Sequence, residues 1–255
     1  MREPSAGRVA AWRPMRVGSG PAGERATPTP GQDPLATKQM RAVVVGHGDV
    51  LPSDRAVIGE GDFIVAADGG AFALERWKVL PHLVVGDMDS LGDAGVERFA
   101  RQGIPVAKYS AEKNESDLEL AVAQAIAAGA NEIVLVGALG GERLDHETAN
   151  LLLLADPGYD GVRLEARRGA LRIRAVRGEG SLSLDGPIGA LVTLLPVSGD
   201  AEGVTTEGLR FPLRDETLAF GRARGISNEV ASMPASVTVR KGSLLVFETP
   251  QGGTK

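Results

Sequence analysis

The feature that most narrows the folds open to this chain is a repeated join, in which a short apolar run ends in glycine and aspartate. Residues 42–45 lead into Gly46-His47-Gly48-Asp49, residues 63–67 into Asp68-Gly69-Gly70, and residues 83–86 into Asp87-Met88-Asp89-Ser90. Residues 105–108 form a weaker run, and residues 132–136 pass into Gly137-Ala138-Leu139-Gly140-Gly141. Short runs that are apolar on both faces read as strands covered on both sides. Helical segments separate them, at 71–77, 145–155 and, most clearly, 116–128. In the last, Leu118, Ala121, Val122, Ala125 and Ile126 recur at i, i+3, i+4, i+7 and i+8, and Ser116 with Glu119 has capping-box spacing. Such alternation predicts an N-terminal α/β domain built on a doubly wound parallel sheet.

Before and after this stretch the texture changes. Residues 1–39 hold Pro4, Pro14, Pro21, Pro28, Pro30 and Pro34 among Gly, Ser and Arg, with no periodic apolar pattern; we read them as a disordered tail. The α/β pattern occupies residues 40–157. Beyond Asp156-Pro157-Gly158 come short β-rich runs at 162–166, 171–176, 181–184, 190–195, 237–239 and 244–247, divided by turn signals. These predict an all-β, sandwich-like C-terminal domain over 158–250. The chain lacks cysteine, which excludes disulfides, thiolate metal sites and a cysteine nucleophile. Its formal net charge of −5 argues against bulk electrostatic binding to nucleic acid or anionic lipid. No run approaches the ~18 apolar residues of a membrane span, and a cytoplasmic location is expected.

In open α/β sheets ligands bind beyond the carboxyl ends of the strands. The loops there carry Asp49, Asp68, Asp87, Asp89 and Gly140-Gly141-Glu142-Arg143-Leu144-Asp145. In an extended backbone Asp87 and Asp89, at i and i+2, send their carboxylates to the same side. Two like charges so close repel unless a cation lies between them, which points to a divalent metal; a polar loop in which either caps a turn is the alternative.

Taken together, Ala67-Asp68-Gly69-Gly70-Ala71, Gly86-Asp87-Met88-Asp89-Ser90, Lys113-Asn114-Glu115-Ser116-Asp117, Gly140-Gly141-Glu142-Arg143-Leu144-Asp145-His146 with Asn150, and Gly225-Ile226-Ser227-Asn228-Glu229 resemble, in order and spacing, the thiamine pyrophosphokinase (thiamine diphosphokinase) family. The resemblance implies an enzyme that moves the pyrophosphoryl group of ATP to the hydroxyl of thiamine, leaving AMP. It further implies a homodimer with thiamine in a cleft between subunits. Mg²⁺ held by a few carboxylates suits that chemistry. Asp87 and Asp89 are the expected metal ligands, and Asp68 and Asp117 are expected to complete the acidic cluster. Asp117 is also a candidate to accept the hydroxyl proton, and equally suits the first turn of a helix as a dipole partner. Arg143 is placed to contact phosphates, with Lys113 beside it in that role, and each also reads as a solvated cation. Asp145 is a nucleotide-site candidate with the rival role of helix N-cap. Ser227 and Asn228 are the candidates for orienting the acceptor, or else residues of a structural turn. Asn114 stands where the family's loop usually carries aspartate, and with no tryptophan in the β-rich part either Phe211 or Phe220 would stack on thiamine or the stacking is absent. Two further readings share parts of this pattern: a Mg²⁺-dependent pyrophosphokinase acting on another alcohol such as a pterin, and a non-catalytic nucleotide sensor.

Overall fold

The computed structural model describes residues 40–251; the expected tail, including Trp12, lies outside them. Five strands, β1 (Arg41–Val45), β2 (Phe63–Ala67), β3 (Leu83–Gly86), β4 (Val106–Lys108) and β5 (Glu132–Val136), pair in parallel in the order β4-β3-β2-β1-β5. Chain order therefore reverses at β1, whose neighbours are β2 and β5. β1, β2 and β5 are half-buried at their first residue and buried thereafter, because each presents one side chain in two to either face of the sheet. Ala42, Val44, Val65, Ile133 and Leu135 face one core, and Val43, Val45, Ile64, Val134 and Val136 the other.

The first of these cores is closed by α3 (Asp117–Ala127) and by the end of α4 (Leu144–Leu153), the second by α1 (Gly70–Arg76) and α2 (Gly92–Arg101). In α3 the anticipated capping box is present: Glu119 N–H donates to Ser116 Oγ at 3.2 Å and Ser116 N–H donates to Glu119 Oε2 at 2.7 Å. Leu118, Ala121, Val122 and Ala125 are buried, as the period requires. Helix α2 has no counterpart in the sequence reading. Gly92 and Gly95 obscure its pattern, and Gly95 and Phe99 are its buried residues.

Past the turn at Pro157–Tyr159 the same sheet continues. β6 (Arg163–Arg168) pairs in parallel with β5, and β7 (Leu171–Arg177), β14 (Ser243–Thr249), β9 (Leu191–Pro196) and β12 (Asn228–Glu229) follow antiparallel, making a sheet of 10 strands. A second sheet of 4 strands, in the order β11 (Glu216–Leu218), β10 (Ala201–Glu207), β13 (Ala235–Val239), β8 (Gly180–Leu184), packs on the far half of the first, and Val192, Leu194, Leu244 and Val246 meet Val204, Leu218, Val237 and Val239 between them. The expected sandwich-like β-rich part is thus present. Strand β14 is shared: Leu244 and Val246 belong to the sandwich core, Leu245 and Phe247 to the core under α3. β10 escaped the sequence reading because Gly203, at φ +69, interrupts its alternation where the register with β11 shifts. No helix among the described residues is long and apolar enough to cross a membrane.

Candidate active site

Parallel strands in register place their carboxyl ends side by side, so the residues just after β2 and β3 become neighbours. Asp68 follows β2, Asp87 follows β3, and Asp117 opens α3, which packs over both strands. One carboxylate oxygen from each lies within 4.8 Å of the others. Gly86 makes the room: a Cβ there would stand 3.0 Å from Asp68 Cβ and 3.2 Å from Asp117 Cγ. Asp68 is buried and its Oδ1 has no hydrogen-bond partner, a costly condition for a carboxylate. Lys113 Nζ donates to Asp87 Oδ2 at 3.2 Å and lies 3.0 Å from Asp117 Oδ1, close enough for an ion pair but off the line of a good hydrogen bond.

The local charges divide the three acids. A hydrogen bond from the Asp89 backbone N–H, with help from Lys113, holds the Asp87 carboxyl below the usual carboxylate range. Burial pushes Asp117 above that range against the pull of Lys113, and the charges of Asp87 and Asp68 push the same way. Burial works against the Lys113 ammonium, but its contacts with Asp117 and Asp87 outweigh that and raise it. The result is one firmly ionised carboxylate beside one with heightened proton affinity.

The structure does not bring Asp89 into this group. The i, i+2 expectation assumed an extended backbone, whereas Met88 adopts φ +70 and buries its side chain in the core under α1 and α2. That single left-handed residue turns Asp89 outward to solvent, leaving its N–H on Asp87 Oδ1 at 3.1 Å. Asn114 is exposed.

The Gly140-Gly141 loop behaves differently. Arg143, not Asp145, occupies the N-cap position of α4, and it grips Asp145 through Nε to Oδ1 at 2.9 Å and Nη2 to Oδ2 at 2.6 Å, with both side chains exposed. This pairing raises Arg143 and drives Asp145 far below the usual carboxylate range. Asn150 reaches back from α4 to donate to the Ala138 carbonyl at 2.8 Å, which fixes the helix on the loop after β5.

Next to the acids, where β1 and β2 end, lies a cleft of about 440 Å³ lined by Gly46, His47, Gly48, Asp49, Phe72 and Arg168, among others. Asp49 pairs there with Arg168 Nη2 at 3.0 Å. Sequence reasoning missed Arg168, which sits in the β-rich part and has no motif around it. In the far half of the molecule Asn228 is buried, with Oδ1 accepting from the N–H groups of Phe211 and Glu229 and Nδ2 donating to the Phe211 carbonyl. Ser227 is exposed at φ +60, its backbone N–H donating to Thr193 Oγ1. Phe211, whose backbone Asn228 holds, is exposed, and Phe220 is exposed too.

Comparisons with known proteins point to one family. A family model described as thiamin pyrophosphokinase, catalytic domain, matches residues 55–165, and one described as thiamin pyrophosphokinase, vitamin B1 binding domain, matches residues 181–244. A thiamine pyrophosphokinase of Bacillus subtilis (strain 168) is 24% identical over 221 residues, covering 83% of this chain and 99% of its own. The crystal structure of a thiamin pyrophosphokinase from Geobacillus thermodenitrificans matches with a TM-score of 0.72 at 27% identity, over 84% of this chain and 99% of that one. The thiamin pyrophosphokinase from Candida albicans, at 15% identity and a TM-score of 0.70 over 83% of this chain and 89% of its own, shares the fold.

Proposed function

The chain belongs to the thiamin pyrophosphokinase family, and on that premise we propose that it transfers the pyrophosphoryl group of ATP to the hydroxyl of thiamine, giving thiamine diphosphate and AMP. The observation that carries this reading is the meeting of Asp68, Asp87 and Asp117 at the carboxyl ends of the parallel strands, with a buried oxygen of Asp68 left without a partner.

Three hard oxygen donors with an unsatisfied buried carboxylate among them suit Mg²⁺, and Asp68, Asp87 and Asp117 are the residues that would hold it. Bound there, the ion would neutralise charge on the phosphoryl oxygens. The rest falls to the chain's own groups. The thiamine hydroxyl oxygen bonds to the β-phosphorus as the bond from that phosphorus to the oxygen bridging α and β breaks, and AMP departs with that oxygen. Asp117 is also the proposed acceptor of the hydroxyl proton, because it opens α3 at the rim where the acids converge and would be within reach of a hydroxyl held there. Lys113 supports phosphate binding from within the cluster, and Arg143 does so from the loop before α4. Ser227 and Phe211 are the proposed acceptor-orienting residues, and Asn228, next to Ser227 in the chain, holds the Phe211 backbone. The reading includes a cytoplasmic homodimer.

The test is to incubate the full chain with ATP, Mg²⁺ and thiamine and to follow AMP and thiamine diphosphate together. Both should accumulate in equal amounts and both should stop on chelation of the metal. AMP formed with a pterin alcohol but not with thiamine would replace the acceptor, and ATP binding without AMP would leave a sensor.

A further inference from the structure

Within the acid group the chain already supplies a cation to two of the three carboxylates. The Lys113 ammonium contacts Asp87 and Asp117, two of the three carboxylates, and is nearly buried doing so, with 13% of its side chain exposed. It leaves Asp68 Oδ1 without a partner, so the ammonium does not saturate the group as a purely structural ion-pair cluster would. A divalent ion bonded to the same oxygens of Asp87 and Asp117 would have the ammonium as a like-charged neighbour at contact distance. The two cannot share those oxygens without strong repulsion.

We infer that Lys113 is a tethered competitor for the metal, holding Asp87 and Asp117 until a divalent ion displaces it. The inference rests on the carboxylate assignment made above. The displaced ammonium needs another anion, and the phosphoryl oxygens that accompany the ion on a nucleotide supply one. Metal and nucleotide binding are then coupled through a single side chain, and free metal is disfavoured relative to metal carried on nucleotide. Lys113 is suited to this because an ammonium on a flexible four-carbon stem can move between partners, whereas a guanidinium held in a fork is less free to do so.

The experiment is a titration with Mn²⁺ alone, read by calorimetry, on the wild-type chain and on Lys113→Met, with Lys113→Arg as the charge-retaining control and thermal melts to verify folding. Removing the competitor should tighten Mn²⁺ binding on the order of tenfold, while Lys113→Arg stays near wild type. In the presence of a non-hydrolysable ATP analogue the gap between wild type and Lys113→Met should shrink. Unchanged or weaker Mn²⁺ binding by Lys113→Met overturns the inference. Lys113→Gln carries the same expectation should the Met variant fail to fold, and failure of both to fold also overturns it, since the ion pair would then be structural. Turnover is a separate readout. A tighter Mn²⁺ site in a chain that makes no thiamine diphosphate keeps the inference and removes the proposed reaction; unchanged Mn²⁺ affinity in a chain that makes it does the reverse.

Discussion

The acid rim of the parallel half and the edge of the β-rich half around Ser227 and Asn228 both hold polar residues singled out from sequence, yet they use them in opposite ways. At the rim three carboxylates from distant parts of the chain converge, and Asp68 Oδ1 is buried with nothing to bond. At the β-rich edge Asn228 is equally buried, but its amide closes on the backbone of Phe211 and Glu229. Burial alone therefore says little about function. A buried carboxylate oxygen without a partner, set among other carboxylates, is a place where a cation would lower the free energy; a buried amide whose partners are backbone groups is a place where the fold needs it.

The contrast is most exposed to test at Asp87. Asp87→Asn keeps the shape and removes a charge, so turnover and Mn²⁺ affinity should drop by more than the roughly 10–100-fold that loss of a metal ligand's outer partner costs. The melting temperature should change little, because loss of the Lys113 contact with Asp87 is offset by relief of the repulsion that Asp87 exerts on Asp117. A variant with wild-type turnover would erase the distinction between the two regions.

Asn228→Ala should do the reverse. Leaving the Phe211 N–H and carbonyl without partners costs about 1–3 kcal/mol, measurable by urea denaturation. Wild-type stability would show that the amide is free for a ligand. Ser227 sharpens the comparison from the other side, since its hydroxyl is exposed. Alanine is the clean probe, since it keeps the Cβ that serine already carries at φ +60 and removes only the hydroxyl. Ser227→Ala should raise the KM for thiamine several-fold, leave the KM for ATP in place and leave stability within about 1 kcal/mol. Equal shifts in both KM values would argue against an acceptor-orienting role.

The smallest effect is expected at the junction of the two halves. Tyr159 packs against the core under α3, where burial, and secondarily the charges of Glu119 and Asp156, push its phenol up to about 12. The folded state thus resists ionisation more than the unfolded chain does. The stabilising contribution is complete below pH 10 and is lost as pH rises from 10 to about 12. Tyr159→Phe should remove that part of the alkaline decline in stability and change little at pH 7; an unchanged alkaline profile would mean the phenol is solvated.

Much of this could be read in the chain beforehand, and the exceptions share a cause. Strands β2, β3 and β5 and the cap of α3 are local patterns of period and hydrogen bonding, and they stand where the sequence puts them. Helix α2 and strand β10 were missed where glycines interrupt the period, because the packing of Phe99 in one and Val204 in the other outweighs local propensity. Arg168 was missed because its partner Asp49 lies 119 residues away.

By itself the sequence determined which loops would carry acids and at which ends of which strands, since apolar period and glycine breaks are properties of a few consecutive residues. Only the tertiary structure decided which acids meet. Register between β2 and β3 sets Asp68 beside Asp87, the packing of α3 adds Asp117 and Lys113, and the burial of Met88 in a left-handed backbone removes Asp89. Side-chain direction at a turn depends on one dihedral, and here that dihedral is fixed by a core that residues far along the chain create.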